Sequence, residues 1–163
     1  MRVRLSEGFA KHWQDQHLDG ALPGLELAPR LRALLDAPLV SKGGALLLQP
    51  LDGDARLEDF PDLTGFEAFV NKVHVDDFVD LAEANDAEHL GQLIRQGVKA
   101  GFALAEKLAG YGKYRVLLSL DSDLPTIALR FFELRDGELW GNEDPDAFPL
   151  EDVMMIDTCP FGS

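Results

Sequence analysis

Apolar residues recur at helical spacing most clearly across 86–112, "DAEHLGQLIRQGVKAGFALAEKLAGYG". Leu90, Leu93, Ile94, Gly97, Val98, Gly101, Ala105 and Leu108 fall on one face at i, i+3, i+4 intervals, while Arg95, Lys99 and Lys107 fall elsewhere. Asn85 stands where a cap belongs, Glu88 completes a capping box, and Gly110 and Gly112 close the segment. Gly97 and Gly101 each cost about 1 kcal/mol against alanine in a helix interior. That cost predicts close approach of this helix to a sheet or a second helix. A shorter helix is predicted over 27–37, with Pro29 in its first turn and Leu31, Leu34 and Leu35 on one face.

Other stretches read as strands. "GALLLQPL" (44–51) is a short apolar run followed by the turn "DGD". Residues 54–69 read as loop or a short helical turn, and 68–75 lean toward strand through Phe69, Val70, Val73 and Val75. "YRVLLSL" (114–120) has a continuous apolar centre, and "TIALRFFELR" (126–135) follows after the loop "DSDLP". Asp136–Gly137 is a type I′ hairpin signal, so "ELW" (138–140) is expected to return antiparallel. In that register Arg135 faces Glu138, Leu134 faces Leu139 in the core, and Glu133 faces Trp140. "VMMID" (153–157) is the last strand predicted. Helices first and a β-meander afterwards predict an α+β fold: an antiparallel sheet packed with the long central helix and the shorter N-terminal helices.

A chain of 163 residues fits a single domain, 1–163, with a core that needs no staples. Its 46% apolar and 27% charged residues are those of a globular protein, not of a disordered one. Charge changes the picture more. Twenty-nine acids against 15 bases give −14. The net is −10 over 52–88 and −8 over 131–163, which leaves +4 for the rest. Such a field repels a phosphate backbone, so direct nucleic-acid binding is not expected, and it steers toward a basic partner. The N-terminus has no apolar signal region, no run approaches the ~20 residues of a membrane span, and Cys159 is the only cysteine. The expected location is the cytoplasm, with no membrane partner.

Enzyme chemistry finds little support. Neither a G-x-x-x-x-G-K-[S/T] nor a G-x-G-x-x-G loop occurs, and no cofactor is implied. Ser6, Ser41, Ser119 and Ser122 lie outside any G-x-S-x-G context, and Cys159, in "TCPFGS", is expected to pack or dangle, whereas a catalytic cysteine needs an organised, pKa-lowering setting. His12 and His17 are five apart, which splays them on a helix. "DGD" (52–54) and "NEDPD" (142–146) lack the glycine and terminal glutamate of a calcium loop. His74 with Asp76, Asp77 and Asp80 is the best alternative, a small metal-dependent enzyme, although a polar strand end explains the same residues and no metal site is expected.

Trp140 and Phe148 lie among Glu138, Glu143, Asp144 and Asp146. Aromatic anchors ringed by charge describe a protein-binding surface, and a capped core accounts for Trp140 equally. Residues 142–152 show no folding duty beyond linking two strands.

The stretch 124–158, "LPTIALRFFELRDGELWGNEDPDAFPLEDVMMIDT", resembles the tail of immunity proteins paired with the toxins of contact-dependent growth inhibition and related polymorphic-toxin systems. The resemblance runs through Arg130, Phe131, Asp136, Gly137, Glu138, Trp140, Val153, Ile156, Asp157 and Thr158. It implies a cytoplasmic, non-enzymatic inhibitor that binds a cognate toxin C-terminal domain, a basic nuclease such as an RNase. Carboxylates would stand where that nuclease holds phosphates. The residues expected to meet the partner are Asp76, Asp77, Asp80, Glu138, Trp140, Glu143, Asp144, Asp146 and Phe148. A generic acidic adaptor domain is the remaining alternative, and it differs only in the partner's identity.

Overall fold

The chain opens on an edge strand, β1 (Arg2–Leu5), where the sequence carries no clear strand pattern. In the computed structural model, which describes residues 1–81, 86–121, 123–124 and 126–158, helices α1 (Glu7–Asp15), α2 (Leu18–Ala21) and α3 (Pro29–Asp36) follow. Ser6 starts α1: its Oγ accepts the N–H of Phe9 at 3.2 Å and that of Val153 at 2.9 Å. Helix α3 matches the expected 27–37 element and buries Leu31, Leu34 and Leu35.

The apolar run at 44–51 is half of a hairpin. β2 (Leu39–Lys42) pairs with β3 (Ala45–Leu48), and Lys42 faces Ala45 across a two-residue turn. Gly43 and Gly44 have φ of 57° and 92°, so the type I′ turn lies here. At the expected site Gly137 has φ 78°, while Asp136 keeps a negative φ. That turn closes with Glu138 N–H donating to Arg135 O, and no strand follows at 138–140. Leu139, expected in the core, is 66% exposed.

Residues 63–70 form a true helix, α4 (Leu63–Val70), because the Asp62 carboxylate accepts the Gly65 N–H at 2.7 Å and Phe66, Ala68 and Val70 are buried. The strand-like run at 68–75 therefore shrinks to β4 (Lys72–His74). Then come α5 (Asp86–Leu108), β5 (Tyr114–Asp121), β6 (Thr126–Glu133) and β7 (Glu151–Asp157). The expected cap Asn85, with Ser122 and Cys159, lies outside the described residues. No helix among the described residues is long and apolar enough to cross a membrane.

The fold is α+β. An antiparallel sheet of order β1-β7-β5-β6-β4 carries α5 across one face. Val116, Leu118, Leu120, Ile127, Leu129, Phe131, Met154 and Ile156 point to α5. Leu117, Phe132, Val153 and Met155 point the other way, where Leu134, Trp140 and Phe148 cover them. Burial on both faces explains why β5 reads as an unbroken apolar run.

The two mid-helix glycines sit where α5 comes nearest the sheet. A Cβ on Gly101 would lie 2.7 Å from Leu118 Cδ1, and one on Gly97 3.1 Å from Ile127 Cγ2. Alanine at 101 gains about 1 kcal/mol of helix propensity but incurs about 1–3 kcal/mol of overpacking. Urea unfolding is expected to show Gly101→Ala losing about 1 kcal/mol net, and Gly97→Ala losing less.

Candidate protein-binding surface

Most carboxylates of 133–157 are engaged by the protein itself. Asp157 is fully buried and accepts Arg115 Nε at 2.7 Å and Arg4 Nη2 at 3.2 Å. The guanidinium end of Arg115 reaches Glu143 at 3.0 and 3.1 Å, bringing the acidic loop down onto β5. Burial opposes the charge on Arg115, yet its bonds to Asp157 and Glu143 prevail and raise its pKa. Conversely, the Arg115 bond holds Glu143 below the usual carboxylate range against partial burial, with help from Arg4.

The neighbouring acids have comparable duties. Asp144 accepts the Asp146 N–H at 3.0 Å, and Asp146 accepts the Glu7 N–H at 2.7 Å at the start of α1. Asp152 meets His12 at 3.0 Å. Glu138 accepts both the N–H and the hydroxyl of Thr64, at 3.0 and 2.8 Å. Desolvation works against its charge, but those bonds and Arg135 outweigh it and lower its pKa. Trp140 packs on Phe132, with ring centroids 5.5 Å apart, and Phe148 joins the same cluster. The stretch 142–152 therefore does fold the protein, contrary to its reading as a bare link.

The opposite end of the sheet differs. β5 ends at Asp121, which faces Thr126 on one side and Glu151 on the other. Asp76 accepts the Thr126 hydroxyl at 2.7 Å, which brings the 75–78 turn to the same edge. Asp121 Oδ1 accepts the N–H groups of Asp123 and Leu124, at 2.9 and 3.2 Å, just past the end of β5. Leu124 is 66% exposed there, and Leu150, next to Glu151, is 79% exposed. Asp76, Asp77, Asp121, Asp123 and Glu151 form no ion pair among the described residues, in contrast to Glu143 and Asp157. Asp80 is exposed two residues beyond this turn.

The expected partner-binding residues thus separate into two places. Asp76 and Asp77 join Asp121, Asp123 and Glu151 at one strand end. Glu143 sits by Arg115, six residues back along β5, a distance of about 20 Å. Asp121, Asp123, Leu124, Leu150 and Glu151 were not singled out from sequence. The turn "DSDLP" held the signal, an exposed leucine directly after two aspartates. His74 lies opposite Ala128 on the sheet face, while Asp76 turns to Thr126. No three of His, Cys, Asp and Glu gather as metal ligands among the described residues.

Fold and surface together define a small α+β protein: one antiparallel sheet, one long covering helix, and an acidic sheet end bearing two bare leucines. The chain belongs to the uncharacterized protein PM0498 family, which it matches over residues 10–161. No curated protein and no solved structure matches it.

Proposed function

We propose that this protein is an immunity protein that binds and neutralises a basic toxin domain, a nuclease, through the acidic end of its sheet. The observation that carries the reading is the unpaired set Asp76, Asp77, Asp121, Asp123 and Glu151 around the exposed Leu124 and Leu150. The acids beside Arg115 and Arg135 are held in ion pairs, so they offer a basic partner less net charge than this end does. The resemblance of 124–158 to immunity-protein tails points the same way. Desolvated apolar anchors would supply affinity, and the surrounding charge would supply encounter rate and partner choice. Such an inhibitor acts in the cytoplasm of the cell that makes the toxin, and it needs no catalytic group of its own.

On this reading a toxin domain is encoded beside this chain and co-purifies with it. Stopped-flow association should then slow by roughly tenfold or more at low salt in the Asp77→Lys/Asp123→Lys/Glu151→Lys variant, since charge acts chiefly on the encounter. Its melting temperature should barely move, because these side chains form no hydrogen bond or ion pair among the described residues. An association rate indifferent to both salt and this variant defeats the electrostatic reading. A basic partner without toxin activity would make the protein an acidic adaptor instead.

A further inference from the structure

Arg130 is the deeply held guanidinium on the sheet that lacks a carboxylate. Arg115 has Asp157 and Glu143, and Arg135 has Glu67 and Glu133. Arg130 lies on β6 with its guanidinium carbon 4.4 Å from the centre of the Trp140 ring. Its Nη1 reaches only the Ala68 carbonyl, at 3.4 Å, and its Nε is buried with no hydrogen-bond partner. Burial lowers its pKa, with only a longer-range pull from Glu151 against it. A chain with 29 carboxylates has left this cation without an ion pair among the described residues.

Its neighbours are also cationic or ionisable. Lys72 stands directly opposite Arg130 in the β4–β6 ladder, so both side chains lie on the face away from α5. Like charges at directly opposite positions destabilise a sheet unless something lies between them. Lys72 is exposed and forms no ion pair among the described residues, and His74 follows it on the same face opposite Ala128. On this face the 141–150 segment packs over β7 and β1 and α4 packs over β6 through Ala68, while Lys72 on the edge strand β4 is exposed.

We infer that Arg130 and Lys72, against the wall of Trp140, form a binding site for an oxyanion, a phosphate or carboxylate group of a ligand. A guanidinium offers such a group a planar fork of N–H donors, and a lysine ammonium adds a point charge beside it. The bound anion would relieve the Lys72–Arg130 repulsion. Its residues are not those of the acidic sheet end, although Glu151 there pulls on Arg130, and its test does not depend on the toxin reading.

The test uses the two tryptophans. Trp13 and Trp140 give two indole N–H resonances in a proton–nitrogen correlation spectrum, and Trp140→Phe assigns them. Inorganic phosphate and acetate are titrated separately, each against sodium chloride at matched ionic strength. The Trp140 resonance is expected to move saturably with at least one of them, while that of Trp13 stays still. Saturation by phosphate alone identifies a phosphoryl ligand, and saturation by acetate alone a carboxylate. Lys72→Met, a surface change that leaves the fold intact, should weaken the response by roughly tenfold, the worth of one charge-assisted bond. A shift reproduced by chloride, no saturable shift with either anion, or undiminished affinity in Lys72→Met overturns the assignment.

Discussion

Glu67→Ala is expected to destabilise the protein by about 3–5 kcal/mol, the range for removing one partner of a buried charge pair. Glu67 is fully buried on α4, and both carboxylate oxygens are used twice. Oε1 accepts Leu46 N–H from β3 and Arg135 Nη2, both at 2.8 Å. Oε2 accepts Glu133 N–H from β6 at 2.8 Å and Arg135 Nη1 at 2.9 Å. One side chain thus joins the small hairpin, the main sheet and the turn after β6. Alanine would orphan two backbone donors and leave Arg135 largely buried with Glu133 and Glu138 as its remaining partners. Glutamine should recover little, because its NH2 would face donors at one of the two oxygen positions. Urea midpoints for the two variants check this. A Glu67→Gln protein as stable as the parent would show that the four bonds are not what joins these elements.

Glu67 also shows what pattern reading misses. Sequence places it in a loop or helical turn within a strongly acidic segment, where one more carboxylate looks like surface. Nothing in the local pattern says that three elements distant in sequence converge on it. The long helix was legible because α5 buries one face against one partner, and helical periodicity records that directly. Its two glycines were legible because their cost implied a close neighbour. The hairpin at 136–137 misled because Asp-Gly serves other turns as well, and the 3.2 Å closing bond from Glu138 to Arg135 needs no returning strand. Glu138 then leaves the sheet direction to bind Thr64. Charge segregation was countable along the chain, but counting could not separate carboxylates spent on Arg115 from those left at the end of β5. That distinction depends on pairing between residues 28 to 153 positions apart.

Asp157→Ala should cost nearly as much, about 3–5 kcal/mol, and Glu143→Gln much less, about 1 kcal/mol at most. Both acids bind the same guanidinium, so the difference tests where the charge network draws its strength. Asp157 is 0% exposed and Arg115 is 1% exposed, so removing Asp157 leaves a desolvated cation with one partner at the rim. The side chain of Glu143 is 54% exposed, and water screens and replaces it. Replacing both members of the inner pair, Arg115→Met with Asp157→Leu, should restore much of the loss, because an apolar pair of similar volume leaves no charge uncompensated. The acid limb separates the two carboxylates further. Glu143 has its pKa lowered from 4.5 in the folded chain, so its share of stability is present above about pH 4.5 and fades as pH falls through the folded value. Glu143→Gln should therefore flatten the acid limb slightly while leaving the neutral-pH midpoint nearly in place. It should also leave the association rate with a basic partner nearly unchanged, because the Glu143 charge is already matched by Arg115 and Arg4. If Glu143→Gln instead slowed association as much as the Asp77, Asp123 and Glu151 reversal, the partner would be reading the 141–150 loop. The sheet end would then lose its claim as the contact surface.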